Sequence, residues 1–256
     1  MNNPRRILPK ITSGQWIKGA LSLIVFVLSS QIFTLLLLLP PPPYERERRK
    51  LLKLLLWGYA RFMVKTHFNI STKIVNEKGE KFREPAVMIA NHQSIFDVPT
   101  TFMLSPKILI VTNDWARQPM FHFFIGKYFN FFSVNKGLEY YVVELQQWIE
   151  KGYMILVFPE GVRWGTGNIE RFHKGAFYLA EKLGVDILPI LLHGNGTINS
   201  DRLFYLKSGS FKVKILPRIT PDSTSFGKTY QERTKKIMQW YRQEYQNADN
   251  WTTTKQ

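Results

Sequence analysis

Residues 85–97 read Pro85-Ala-Val-Met-Ile-Ala-Asn-His-Gln-Ser-Ile-Phe-Asp97. A short apolar run, the length of a buried strand, opens abruptly into a polar cluster. The space just past the carboxyl end of a strand is where α/β folds gather their ligands. The same pattern recurs at Tyr153 to Phe158, an apolar strand that empties into Pro159-Glu160-Gly161-Val162-Arg163-Trp164. Outward from these two, strand-like runs fall at Ser71–Val75, Lys107–Thr112, Phe131–Val134, Ile187–Leu192 and Phe211–Ile215. They alternate with segments of helical character near 94–104, 117–128, 139–150, 174–183 and 230–245. This alternation predicts an α/β domain, with a mostly parallel or mixed sheet of about seven strands flanked by helices.

The chain has 256 residues, enough for one domain of ordinary size with appendages. Its 35 Lys and Arg against 19 Asp and Glu give a formal net charge of +16, which draws it to acidic lipid, nucleic acid or an acidic carrier protein. The absence of cysteine excludes disulfides, thiolate metal sites and a cysteine nucleophile.

The amino terminus differs in character. Ala20 to Leu39 carries no charge, and as a helix would extend roughly 30 Å, the thickness of a bilayer core. Pro40 to Pro43 follow where a signal-peptide cleavage site would need small residues, so an uncleaved anchor is expected. Both flanks are basic: Arg5, Arg6, Lys10 and Lys18 precede the run, and Arg46, Arg48, Arg49 and Lys50 follow it. That symmetry fits a re-entrant helix with both ends at the cytoplasmic surface as well as it fits a simple spanning helix. From Arg46 to about Phe68 the sequence mixes leucines with Lys53, Arg61 and Lys65, as in a basic amphipathic helix lying among headgroups. The expected organisation is a two-helix membrane-anchoring motif over 1–68 and a catalytic domain over 69–256.

In the first cluster, Ser94 as a helix cap would place Asp97 in the first turn, pointing back toward His92. A His–Asp contact would then fix the imidazole tautomer and leave the other ring nitrogen free to take a proton. Ser94-x-x-Asp97 is also a capping box, which needs no function. His67, His122, His173 and His193 lack a carboxylate at this spacing in such a loop and are assigned structural roles. In the second cluster Gly161 permits a sharp turn, Glu160 accepts hydrogen bonds, and Arg163 presents a fork suited to phosphate.

Together the clusters resemble the 1-acylglycerol-3-phosphate (lysophosphatidic acid) acyltransferases of the glycerolipid acyltransferase superfamily. The family's Asn-His-x4-Asp motif matches Asn91, His92 and Asp97, and its Phe-Pro-Glu-Gly-x-Arg motif matches Phe158, Pro159, Glu160, Gly161 and Arg163. Leu188-Pro189-Ile190 and Phe172 with Gly175-Ala176 match later elements, so the resemblance runs over about residues 85–192, and the amino terminus resembles the anchoring motif of bacterial members. The chain departs at Asn135-Lys136, where the family has Asp-Arg, and at Val162 and Trp164, where Thr and Ser are usual.

The resemblance implies transfer of a fatty acyl group from acyl-CoA or acyl carrier protein to the sn-2 hydroxyl of 1-acylglycerol-3-phosphate, giving phosphatidic acid. His92 would act as base and Asp97 would orient it. Glu160 and Gly161 would shape the acceptor pocket, and Arg163, aided by Lys136, would hold the acceptor phosphate. No metal or cofactor is expected. The partners would be membrane lipid, the lysophospholipid acceptor and the acyl donor, at an inner membrane with the catalytic domain facing the cytoplasm. Another lyso-lipid acceptor is the alternative. A non-catalytic basic membrane-attached binding protein is the rival of a different class; nucleic acid is disfavoured because the cations are spread along the chain rather than gathered with aromatics. The absence of a Gly-x-Ser-x-Gly elbow disfavours a lipase-like hydrolase.

Overall fold

The structure is a computed structural model that describes residues 13–38, 45–65, 70–94, 96–112, 131–134, 136–163, 167–194 and 209–251. The helix expected near 117–128 lies outside the described residues. Seven strands form one sheet: β1 Ile70–Val75, β2 Val87–Ala90, β3 Ile108–Thr112, β4 Phe131–Ser133, β5 Met154–Val157, β6 Ile187–His193 and β7 Gly209–Ile215. Their order is β1-β7-β6-β2-β5-β3-β4. The run from β6 to β4 is parallel, β7 is antiparallel to β6, and β1 runs parallel to β7.

This topology places the site. Because β2 and β5 are parallel neighbours, residues 91–94 and 158–163 leave the sheet side by side at one end. Both strands are buried on both faces, which is why they read as unbroken apolar runs rather than alternating ones. Val87, Ile89 and Ile155 face a core closed by α4 Val142–Glu150, α5 Gly175–Leu183 and α6 Tyr230–Gln246. Met88, Ala90 and Leu156 face a second core closed by α2 Glu45–Lys65 and α3 Asp97–Phe102. Pro189 sits in the interior strand β6 without breaking it. Ile187 and Ile219 exchange hydrogen bonds of 2.9 Å, the next register pair is Ile190 with Ile215, and the unequal lengths between them form a bulge that requires no N–H from proline.

Two elements differ from expectation. Helix α3 is confined to Asp97–Phe102, with Phe96 at the cap position and no side-chain cap, because Asp97 turns its carboxylate onto the preceding loop. Ser94 therefore does not cap it. Helix α4 is entered through a 3₁₀ turn at Leu138–Tyr141 rather than beginning at 139.

At the amino terminus α1 Ser13–Leu38 lies against α2. The Ser30 and Tyr59 hydroxyls are 2.6 Å apart, and the rings of Phe33 and Tyr59 stack at 4.4 Å. Helix α2 is also part of the domain: Leu56, Ala60, Met63 and Val64 are buried, and the Trp57 indole N–H donates to the Met103 carbonyl at 3.0 Å. On α1, Ile17, Leu21, Ile24, Leu28, Ile32 and Leu35 recur every three or four residues and are all exposed, an apolar stripe that no protein surface covers among the described residues. Helix α1 has 26 residues, but counted over the described side chains no helix is long and apolar enough to cross a membrane.

Candidate active site

The site begins where β2 stops. The Asn91 side chain donates to the Leu192 carbonyl and accepts from the Leu192 N–H, both at 2.8 Å. A side-chain amide thus replaces the next rung of the β2–β6 ladder, and the main chain is released to turn at His92.

His92 is held from three directions. Its main-chain N–H donates to Glu160 Oε1 at 2.8 Å, and its ring stacks on Phe158 with centroids 4.3 Å apart. Its Nδ1 lies 2.8 Å from Asp97 Oδ2, an oxygen that also accepts the N–H groups of Gln93 at 2.6 Å and Ser94 at 2.8 Å. An oxygen receiving two amide hydrogens acts as acceptor, so the imidazole proton belongs on Nδ1 and the lone pair on Nε2. The Asp97 side chain is 0% exposed and that of His92 is 21% exposed, so the carboxylate is shut away while the ring reaches solvent. The sequence spacing that brings these groups together works through main-chain donors at positions 93 and 94, not through a helix cap.

Glu160, at 1% exposure, is the most enclosed group of the second cluster. Besides the His92 amide it accepts the Glu170 N–H on Oε2 at 3.2 Å. Burial pushes its carboxyl up to about 7; the two amides pull the other way, and the charges of Asp97 and Glu170 add to the rise. Its contacts are with the chain itself, which makes it a strut between the two loops. Gly161 turns the chain at φ 73°, and a Cβ there would approach His173 Cδ2 to 3.2 Å. Arg163 is exposed beyond that turn, with no hydrogen bond or ion pair among the described residues. Lys136 is also exposed, its ammonium 4.6 Å from the centre of the Tyr140 ring. Asn91, His92, Asp97, Phe158 and Glu160 therefore form one connected cluster, while Arg163 and Lys136 stand on the surface at the same end of the sheet. Pro159 receives the His173 N–H on its carbonyl at 2.7 Å, and Pro189 lies in β6 beside Ile89.

A sequence model described as Acyltransferase matches residues 67–193, a stretch that contains this whole cluster. The chain belongs to this acyltransferase family. It is 28% identical over 177 residues to the 1-acyl-sn-glycerol-3-phosphate acyltransferase of Saccharomyces cerevisiae, covering 63% of this chain and 55% of the yeast protein. It is 30% identical over 123 residues to the chloroplastic 1-acyl-sn-glycerol-3-phosphate acyltransferase LPAT1 of Arabidopsis thaliana, covering 44% of this chain and 33% of that one. The chain thus spans about half the length or less of these two curated relatives. The fold is that of the crystal structure of the 1-acyl-sn-glycerophosphate (LPA) acyltransferase PlsC from Thermotoga maritima, with a TM-score of 0.69 at 17% identity over 90% of this chain and 97% of that one.

Three residues of this site were assigned no role from sequence. Gln93 is buried between the loops, as described below. The Tyr241 hydroxyl, on α6, donates to the Ile89 carbonyl at 2.9 Å directly beneath the site. Tyr245, one turn further on, has its phenol pushed up to about 12 by burial and then by the charges of Glu160 and Asp97. Both tyrosines belong to an ordinary amphipathic helix pattern, so no local signal marks them.

Proposed function

We propose that the chain transfers a fatty acyl group from a thioester donor, acyl-CoA or acyl carrier protein, to the sn-2 hydroxyl of 1-acylglycerol-3-phosphate, giving phosphatidic acid. The observation that carries this is the His92–Asp97 pair, with Nε2 free and the ring open to solvent beside a buried acceptor. A thioester is already activated, so the chain's task is to bring a hydroxyl to the carbonyl and remove its proton. Nε2 of His92 takes the hydroxyl proton as the oxygen attacks the thioester carbon. The tetrahedral intermediate collapses with loss of the C–S bond, and the imidazolium returns the proton to the departing thiolate. Asp97, accepting from Nδ1–H, keeps the ring in the required tautomer and steadies its transient charge. Nothing in this sequence of steps calls for a metal or an acyl-enzyme.

Arg163, at the same end of the sheet, would hold the acceptor phosphate through paired charge-assisted hydrogen bonds, with Lys136 adding charge. Membrane attachment through the α1–α2 pair is supported by the exposed apolar stripe of α1 beside a basic α2, the composition of a helix pair lying in a headgroup layer at the cytoplasmic face. An assay of the purified chain with a panel of lyso-lipid acceptors against both donor types tests the proposal. Transfer to lysophosphatidic acid above the other acceptors is expected; thioester hydrolysis without acceptor dependence would rule it out.

A further inference from the structure

We propose that Gln93 is a positioning residue that holds the loop bearing Arg163 in register with His92, and through that loop sets the affinity for the phosphate-bearing acceptor. Its effect on the acceptor presupposes the phosphate contact of Arg163 proposed above. Gln93 is 2% exposed. Its Nε2 donates to the Asn168 carbonyl at 2.7 Å, and its Oε1 accepts the Gly167 N–H at 3.0 Å. One side-chain amide thus supplies both an acceptor and a donor to adjacent main-chain groups of the second loop. Its own N–H is fixed on Asp97.

Described positions on both sides of this loop are consequently fastened to the dipeptide that carries the base. Glu160 ties positions 160 and 170 through the His92 amide and the Glu170 amide, and Gln93 ties 167 and 168. Arg163 stands exposed between these fastenings. A guanidinium on an exposed loop binds a phosphate only as well as the loop is pre-ordered, because ordering it on binding subtracts from the affinity. Neither fastening touches the Nδ1–Asp97 contact, so loosening the Gln93 one should leave proton transfer in place and weaken acceptor binding.

The full-length chain with Gln93→Met keeps the side-chain volume and loses both hydrogen bonds. Gln93→Glu still accepts from Gly167 but turns an oxygen toward the Asn168 carbonyl. For Gln93→Met, KM for 1-oleoylglycerol 3-phosphate should rise roughly 5- to 20-fold while kcat and the thioester KM change less than about twofold, and Gln93→Glu should raise the acceptor KM at least as much. Combined with Arg163→Ala, Gln93→Met should add little to the loss caused by Arg163→Ala alone. Amide hydrogen exchange should quicken at Gly167 and not at Leu192. A fall in kcat with unchanged acceptor KM would overturn the proposal, as would fully additive losses in the double variant. Unchanged exchange at Gly167 would overturn the clamp whatever the kinetics show. If exchange quickens but Arg163→Ala itself spares the acceptor KM, the phosphate contact is what fails, and the assigned effect on acceptor affinity falls with it.

Discussion

The main-chain N–H of His92 donates to Oε1 of Glu160 at 2.8 Å, and Oε2 of the same carboxylate accepts the Glu170 N–H. One buried side chain thereby bolts together the exits of β2 and β5. A protonated carboxyl can serve both amides less well than a carboxylate, and burial favours the protonated form.

This fixes the sign of a pH effect. The Glu160 carboxyl titrates near 7 when folded, against an ordinary value of 4.5, so between those values the folded chain retains a proton that the unfolded chain gives up. The associated stability is fully present below 4.5 and is lost as pH rises through 7. Relative to Glu160→Gln, the unfolding free energy should fall by about 3 kcal/mol across that window. Urea unfolding of both proteins at several pH values measures it; a difference that does not vary with pH would contradict this account of Glu160.

Arg163 tests the acceptor. Replacing its guanidinium by the ammonium of Lys keeps the charge and removes the paired geometry, so Arg163→Lys should lower kcat/KM for lysophosphatidic acid roughly 10- to 150-fold, the equivalent of about 1.5 to 3 kcal/mol. The loss should be much smaller for an acceptor without the terminal phosphate. Equal losses on both acceptors, compared in one salt and detergent, would mean that Arg163 reads no phosphate. Val162 and Trp164, which depart from the family's usual residues on either side of it, would then be the first places to look for a different headgroup.

For the anchor, the packing dictates where to cut. Removing residues 1–44 takes away the apolar stripe of α1 and spares the basic α2, so co-sedimentation with anionic vesicles should weaken and become salt-sensitive, at little cost in stability. Removing 1–68 also strips Leu56, Ala60, Met63 and Val64 from the domain, each buried side chain of this kind contributing about 1 to 3 kcal/mol, and should lower the melting temperature sharply. A protein lacking 1–44 that still pellets fully with vesicles at high salt would contradict the part assigned to α1.

Much of this molecule was legible in its sequence because strands buried on both faces are unbroken apolar runs, and each of the seven fell within two residues of its expected limits. The polar residues at the ends of two such runs gave the cluster before its geometry was known. The physics hidden from sequence is of another kind. Whether Ser94 caps a helix or Asp97 collects the amides of residues 93 and 94 depends on the path of the chain beyond His92, which spacing does not reveal. Whether Glu160 faces a ligand or the chain depends on β2 and β5 being neighbours, a consequence of sheet order. The amide of Gln93 finds its partners 74 and 75 residues away, on a loop whose position follows only from the completed fold.

The central claim is that His92 removes the acceptor proton while Asp97 fixes its tautomer, a contribution of about 100- to 10,000-fold in rate. It is tested most directly by single-turnover acyl transfer to lysophosphatidic acid at saturating substrates, using intact protein with His92→Ala and with Asp97→Asn and checking each for an unchanged melting temperature. The account predicts that His92→Ala lowers the transfer rate by at least about 100-fold, and that Asp97→Asn loses most of the rate, without a comparable change in acceptor binding. Transfer by a folded His92→Ala protein within about tenfold of the unsubstituted rate would contradict it.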